Sequence, residues 1–126
     1  MVTSIQPEFW VDRAATAIRF YQAAFGVTVL LQVGEGEDLV AQLAVGDAVF
    51  WVAATDSRPP RFTPHAIGGA TGRTLLVVDD PDVVFAQAVA AGAQVLSPVG
   101  DEHSWRVGRI VDPFGHEWEL GKHLSD

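Results

Sequence analysis

The sequence predicts an α+β fold in which two βαβββ modules form a curved mixed sheet around a concave cleft, with the helices outside. Three observations predict it. Short β-branched runs are interrupted by only two stripes of apolar residues at helical spacing. A segment crowded with proline and glycine, Ser57 to Gly72, divides the chain in two. The first half also maps onto the second, Val11-Asp12 on Val78-Asp79 at an offset of 67 residues and Gly26 to Leu30 on Gly92 to Leu96 at 66.

In chain order, Ile5 to Val11 reads as a strand, and Ala14, Ala17, Ile18, Tyr21, Ala24 and Phe25 make a helical stripe that ends at Gly26. Asp12 is the expected cap at its start. Val27 to Val33 alternates as a strand, the Gly34 to Asp38 run reads as a hairpin turn, and Leu39 to Val45 and Ala48 to Ala53 follow as strands joined at Gly46-Asp47. The second module opens with a strand at Arg73 to Val78. Asp80 and Pro81 then cap a helix whose stripe is Val84, Phe85, Ala88 and Ala91, stopping at Gly92. Ala93 to Leu96, Val107 to Val111 and His116 to Leu120 complete the strands. One domain over residues 1–126 is expected, with module one at about 4–55, a loop at 56–72 and module two at about 73–121.

Composition narrows the function classes. At 126 residues the chain is sized for one core, and a formal charge of -8 repels a phosphate backbone, so nucleic acid is not an expected partner. Without cysteine there is no thiolate nucleophile, disulfide or Cys-ligated metal. The apolar runs are far too short to span a bilayer, and the N-terminus lacks a signal-like apolar stretch, so a cytoplasmic protein without a membrane partner is expected. A mean hydropathy of +0.20 at this length points to buried inter-subunit surface and a homodimer.

Strand parity sorts the cleft residues. If Phe9 and Val11 pack on the helix, then Gln6, Glu8 and Trp10 lie on the concave face. The same rule turns Arg73, Leu75 and Val77 inward in the matching strand, Glu117 and Glu119 inward in the last strand, and Val49 and Trp51 inward in its repeat partner. Trp118 falls on the core side, and Trp105 precedes the penultimate strand. The expected ligand-binding set is therefore Gln6, Glu8, Trp10, Trp51, Arg73, Trp105, Glu117 and Glu119, a mixture of indoles, carboxylates and one arginine. Glu8, Glu117 and Glu119 against one arginine favour a cationic or donor-rich ligand. An Arg73 to Glu119 ion pair that simply closes the site is the competing reading. Of the histidines, His116 is expected to make a turn hydrogen bond and His123 to lie in the tail, while His65 and His103 sit in loops that fold over the cleft mouth.

The segments FYQAAFG at Phe20 to Gly26, VVDDPDVVFAQAVAAGA at Val77 to Ala93 and VDPFGHEWEL at Val111 to Leu120 resemble the vicinal oxygen chelate superfamily. Its members include glyoxalases, bleomycin-resistance proteins and ring-cleaving dioxygenases, and the likeness is strongest to PhnB-like or bleomycin-resistance-like members. The resemblance implies that metal-dependent relatives place ligands at the positions of Gln6, Trp51, Arg73 and Glu119. Here Glu119, and loosely Gln6, are the sole oxygen ligands, and an arginine brings positive charge where a cation would sit, so no metal and no cofactor are expected. The implied function is a metal-independent binder that sequesters an aromatic or peptide-like antibiotic. A metal-dependent lyase, isomerase or dioxygenase, and a metal-free acid/base enzyme using Glu119 or Glu8 with Arg73, are the alternatives.

Overall fold

The computed structural model describes residues 2–125. It contains β1 (Glu8–Val11), α1 (Ala14–Phe25), β2 (Thr28–Val33), β3 (Val40–Val45), β4 (Ala48–Ala54), α2 (Pro64–Ile67), β5 (Arg73–Val77), α3 (Pro81–Ala91), β6 (Gln94–Glu102), β7 (Trp105–Val111) and β8 (Glu117–His123). The strands form two four-stranded mixed sheets, sheet A in the order β1-β4-β3-β2 and sheet B in the order β5-β8-β7-β6. In each, the first strand of the module runs parallel to the last, and the remaining pairs are antiparallel. The two βαβββ modules are thus present, realised as two sheets with no ladder joining them among the described residues.

The helices form where the stripes predict them. Gly26, at φ 72°, caps α1 by donating its N–H to the Gln22 carbonyl, a left-handed conformation that glycine adopts without a Cβ penalty. At the N-terminus of α3, Asp80 accepts from the Val83 N–H, with Pro81 in the first turn. Asp12 does not cap α1. Arg13 occupies that position without a side-chain cap, and the orphan Thr16 N–H is taken by Glu37, whose carboxylate also accepts from the Thr16 hydroxyl. Glu37 sits in a short 3-10 turn, Gly36–Asp38, where a simple hairpin turn was expected. The breaker-rich segment holds one regular piece, α2, capped by Thr63 accepting from the Ala66 N–H.

One core joins both modules. Helix α1 packs on sheet A through Ala14, Ala17, Ile18, Tyr21 and Ala24, and it also packs against α3. Trp118 of β8, 1% exposed, sits amid Phe9 (5.0 Å between ring centroids), Phe25 (4.9 Å), Phe50 (5.5 Å) and Tyr21 (5.7 Å), which all belong to the first module. Such aromatic contacts add roughly 0.5–1.5 kcal/mol each beyond area burial, so this cluster welds the halves together alongside the packing of α1 on α3. Gly108 of β7 makes a close approach possible: a Cβ there would lie 2.7 Å from the Phe85 ring of α3.

Beneath the aromatic cluster lies a buried polar hub. Asp112, 3% exposed, accepts from the Tyr21 hydroxyl (2.5 Å), the Trp118 indole N–H (3.0 Å) and the backbone N–H groups of Phe114 (2.9 Å) and His116 (3.0 Å). Burial, followed by the Asp112 charge, pushes the Tyr21 hydroxyl well above its usual pKa. The aspartate of the VDPFG motif is therefore a structural acceptor that shapes the β7–β8 turn and ties α1 to it.

Candidate functional site

Each sheet turns one face to the core and the other outward, and the outward faces carry the candidate residues. On sheet A, Phe9, Val11, Phe50, Val52, Ala41 and Leu43 face α1. The opposite parity aligns Glu8, Trp51, Gln42 and Leu31 in one row across the sheet. Gln6, just before β1, uses one amide oxygen to accept from the Trp51 indole N–H (2.9 Å) and the Gln42 amide (3.1 Å), while its own N–H donates to the Ser4 hydroxyl (3.1 Å). These bonds hold the Trp51 ring in a defined orientation on the face.

On sheet B the corresponding row is Leu75, Glu119, Arg109 and Ser97. Arg109 donates through Nε to Glu119 (2.9 Å) and through Nη2 to Glu102 (2.5 Å). Arg73 approaches Glu119 from the other side at 3.9 Å, a Coulombic contact without a hydrogen bond. The hydrogen bond from Arg109, with smaller contributions from the charges of His103 and Arg73, holds the Glu102 carboxyl below its usual range, and the same bond raises Arg109. A hollow of about 180 Å³ lies on this face, lined by Leu75, Glu102, His103, Trp105, Val107, Arg109 and Glu119.

Between the sheets a second hollow of about 410 Å³ is bounded by Glu8, Trp10, Arg73 and Glu117, with Phe62 and Ile67 of the central segment forming an apolar wall. The predicted site residues thus fall into three groups. Gln6 and Trp51 share the face of sheet A, Glu8, Trp10, Arg73 and Glu117 share the junction, and Trp105 and Glu119 share the hollow of sheet B. Arg73 reaches from the junction toward Glu119 and links the second group to the third. No hydrogen bond or ion pair links Trp51 to Glu119 among the described residues.

Arg109 was not singled out from sequence, although it shares parity with Trp105 and Val107. Its partnership with Glu119 depends on the register of β7 on β8. Trp105 itself opens β7 rather than preceding it. His103 does line the hollow, whereas His65 contacts the Pro113 carbonyl (2.9 Å) on the helical side. His116 is not confined to its turn: Nε2 contacts the Trp10 carbonyl (2.8 Å) and the ring lies edge-on to Phe9, bridging the modules. His123 ends β8, edge-on to Trp105.

These groups do not fit a divalent metal at the positions the family resemblance implies. The Gln6 oxygen already accepts two N–H groups, Glu119 lies between two guanidinium groups, and Trp51 and Arg73 offer no ligating atom. No cluster of three or more histidine, aspartate or glutamate side chains suited to a metal occurs among the described residues. No helix among them is long and apolar enough to cross a membrane.

A model of the "Glyoxalase/Bleomycin resistance protein/Dioxygenase superfamily" matches residues 4–120. An uncharacterized protein of Mycobacterium tuberculosis is 35% identical over 130 residues, spanning 98% of this chain and 76% of the relative. Among solved structures, TioX from Micromonospora sp. ML1 is 25% identical and superposes with a TM-score of 0.75, covering 98% of this chain and all of that one. Bleomycin-binding protein complexed with bleomycin, at 18% identity, superposes with a TM-score of 0.70 over 97% of this chain and 99% of its own.

Proposed function

Since the chain belongs to the Glyoxalase/Bleomycin resistance protein/Dioxygenase superfamily, we propose that it is a metal-independent binding protein that sequesters an aromatic or peptide-like small molecule, such as an antibiotic, on its outward sheet faces. The observation that carries this reading is the engagement of Glu119 by Arg109 and Arg73, which leaves the family's metal position occupied by protein cations. Half-buried Trp10, Trp51 and Trp105 supply stacking area with part of each ring open to a ligand. The fold shared with bleomycin-binding protein accommodates bleomycin in that protein. Stacking on one or two indoles adds roughly 0.5–1.5 kcal/mol each, which with apolar burial at roughly 25 cal/mol per Å² supports micromolar affinity.

Titration with a panel of aromatic peptide antibiotics is expected to quench tryptophan fluorescence saturably, with Trp51→Ala weakening binding about tenfold, equivalent to about 1.4 kcal/mol. Mass spectrometry is expected to recover the ligand unchanged. If the compound is converted and Glu119→Gln stops the conversion, or if one divalent metal per chain is tightly held, the enzyme reading replaces this one.

The binder is proposed to act as a single-domain cytoplasmic homodimer. Leu31 (48% exposed), Val33 (61%), Leu75 (42%) and Val77 (61%) lie open on the outward faces. A second copy laid across these faces would enclose the half-open hollows. Light scattering is expected to give twice the 13.5 kDa chain mass at micromolar concentration; the chain mass itself would overturn the dimer.

A further inference from the structure

We propose that the hollow on sheet B takes the carboxylate, or a similar planar oxyanion, of an aromatic ligand, with Arg109 as its receiving fork and Glu102 as a built-in occupant that the ligand displaces. The proposal rests on the binding reading above and names the ligand class for one half of that site. It departs from the expectation of a cationic ligand because Arg109, with open N–H donors, joins this face, while Glu8 and Glu117 lie with Arg73 at the junction.

The charge arrangement carries the argument. Two arginines, in a chain with only eight basic side chains, flank the single inner carboxylate Glu119. With Glu102 swung away, Arg109 keeps a single carboxylate partner, Glu119, while Arg73 approaches Glu119 from the junction it shares with Glu8 and Glu117. Arg109 presents five N–H donors in a rigid plane, of which Glu119 takes one and Glu102 another, and the remaining three have no partner among the described residues. Arg73, its side chain 44% exposed, makes no hydrogen bond among them and stands ready as a second cation.

The two carboxylates are not held alike. Glu119 has a 21% exposed side chain and is gripped from both sides, whereas Glu102 has 44% exposure and a single hold, on Arg109 Nη2. A half-exposed ion pair stabilises weakly and is readily exchanged for another carboxylate. Glu102 belongs to the last register pair of the β6–β7 hairpin, opposite Trp105. The connecting residues, His103 (φ 50°) and Ser104 (φ 67°), both adopt left-handed conformations that asparagine and glycine favour in such turns. From this turn His103 lines the hollow, placing an imidazole beside the arginines. Trp105 provides the stacking wall, with Leu75 and Val107 as the apolar floor. At about 180 Å³ the space equals about six waters at about 30 Å³ each, which suits a monocyclic aromatic acid.

The test compares benzoate with benzamide and benzylammonium, following the indole N–H resonances of the ¹⁵N-labelled protein, with the Trp105 signal assigned by Trp105→Phe. Benzoate is expected to shift the Trp105 signal saturably and to bind at least tenfold tighter than either analogue. Glu102→Gln, which removes the competing carboxylate, is expected to tighten benzoate binding about two- to fivefold, the opposite of what loss of a purely structural pair would do. Arg109→Gln is expected to abolish the preference for benzoate. If benzamide or benzylammonium binds as well as benzoate, or if Glu102→Gln leaves benzoate binding unchanged or weaker, the anion assignment is overturned while the aromatic binding reading stands. If none of the three shifts any indole signal, the anion assignment is likewise overturned, while the binding reading is decided by the antibiotic titration.

Discussion

Replacing Asp112 with alanine is expected to be among the most destabilising single substitutions in the protein. The substitution strands the Tyr21 hydroxyl, the Trp118 indole N–H and the backbone N–H groups of Phe114 and His116, all aimed at a site only 3% exposed. An unsatisfied buried donor costs about 1–3 kcal/mol, so the three fully buried ones alone remove roughly 3 kcal/mol or more from a total of about 5–15 kcal/mol. Asp112→Asn should cost less. Its retained oxygen can serve the two backbone donors, and the Tyr21 hydroxyl can rotate to accept from the new amide, but the Trp118 N–H cannot reverse its role. Chemical denaturation orders the variants as parent, Asn, then Ala. An alanine variant within 1 kcal/mol of the parent, on the scale set by one hydrogen bond, would show that the hub is not what holds α1 to the β7–β8 turn.

Alkaline conditions are expected to unfold the protein through the same hub. Tyr21 is the sole tyrosine of the chain, and its folded pKa is raised first by burial and then by the adjacent Asp112 charge. An unfolded tyrosine titrates near about 10. With the folded value above the unfolded one, the protein keeps this contribution in full below pH of about 10 and loses it as pH rises toward the folded value, because the unfolded chain ionises first. The slope approaches about 1.4 kcal/mol per pH unit in that window. The tyrosinate absorbance band is therefore expected to appear together with loss of near-ultraviolet dichroism, not before it. Tyr21→Phe should cost about 1–2 kcal/mol at neutral pH, yet flatten the alkaline dependence. A tyrosinate band that rises near the ordinary pKa while the fold persists would contradict the buried geometry.

Strand alternation places Glu8, Trp10, Trp51, Arg73, Glu117 and Glu119 on the outward faces because the side-chain period of two is a local property. Gly26 and Asp80 are equally legible, since each cap satisfies backbone groups within its own turn. Where a cap comes from elsewhere in the chain, that signal disappears: Glu37 serves Thr16 across a span of 21 residues, and nothing near Arg13 announces it. Strand β6 also runs on to Glu102, past Pro98 and Gly100, because an edge strand with register shifts tolerates residues that normally end a strand.

The sequence by itself determined the two-module α+β plan, the Gly26 and Asp80 helix caps and the alternation of side chains along β1, β4, β5 and β8, all consequences of short-range periodicity and backbone chemistry. The tertiary structure alone decided which charges meet. Arg109 closes on Glu119 only when β7 and β8 pair in one register, and Asp112 becomes an acceptor hub only when α1 folds over it. Electrostatic partners are chosen by distance in space, and spacing along the chain carries no record of it once the partners lie on different elements.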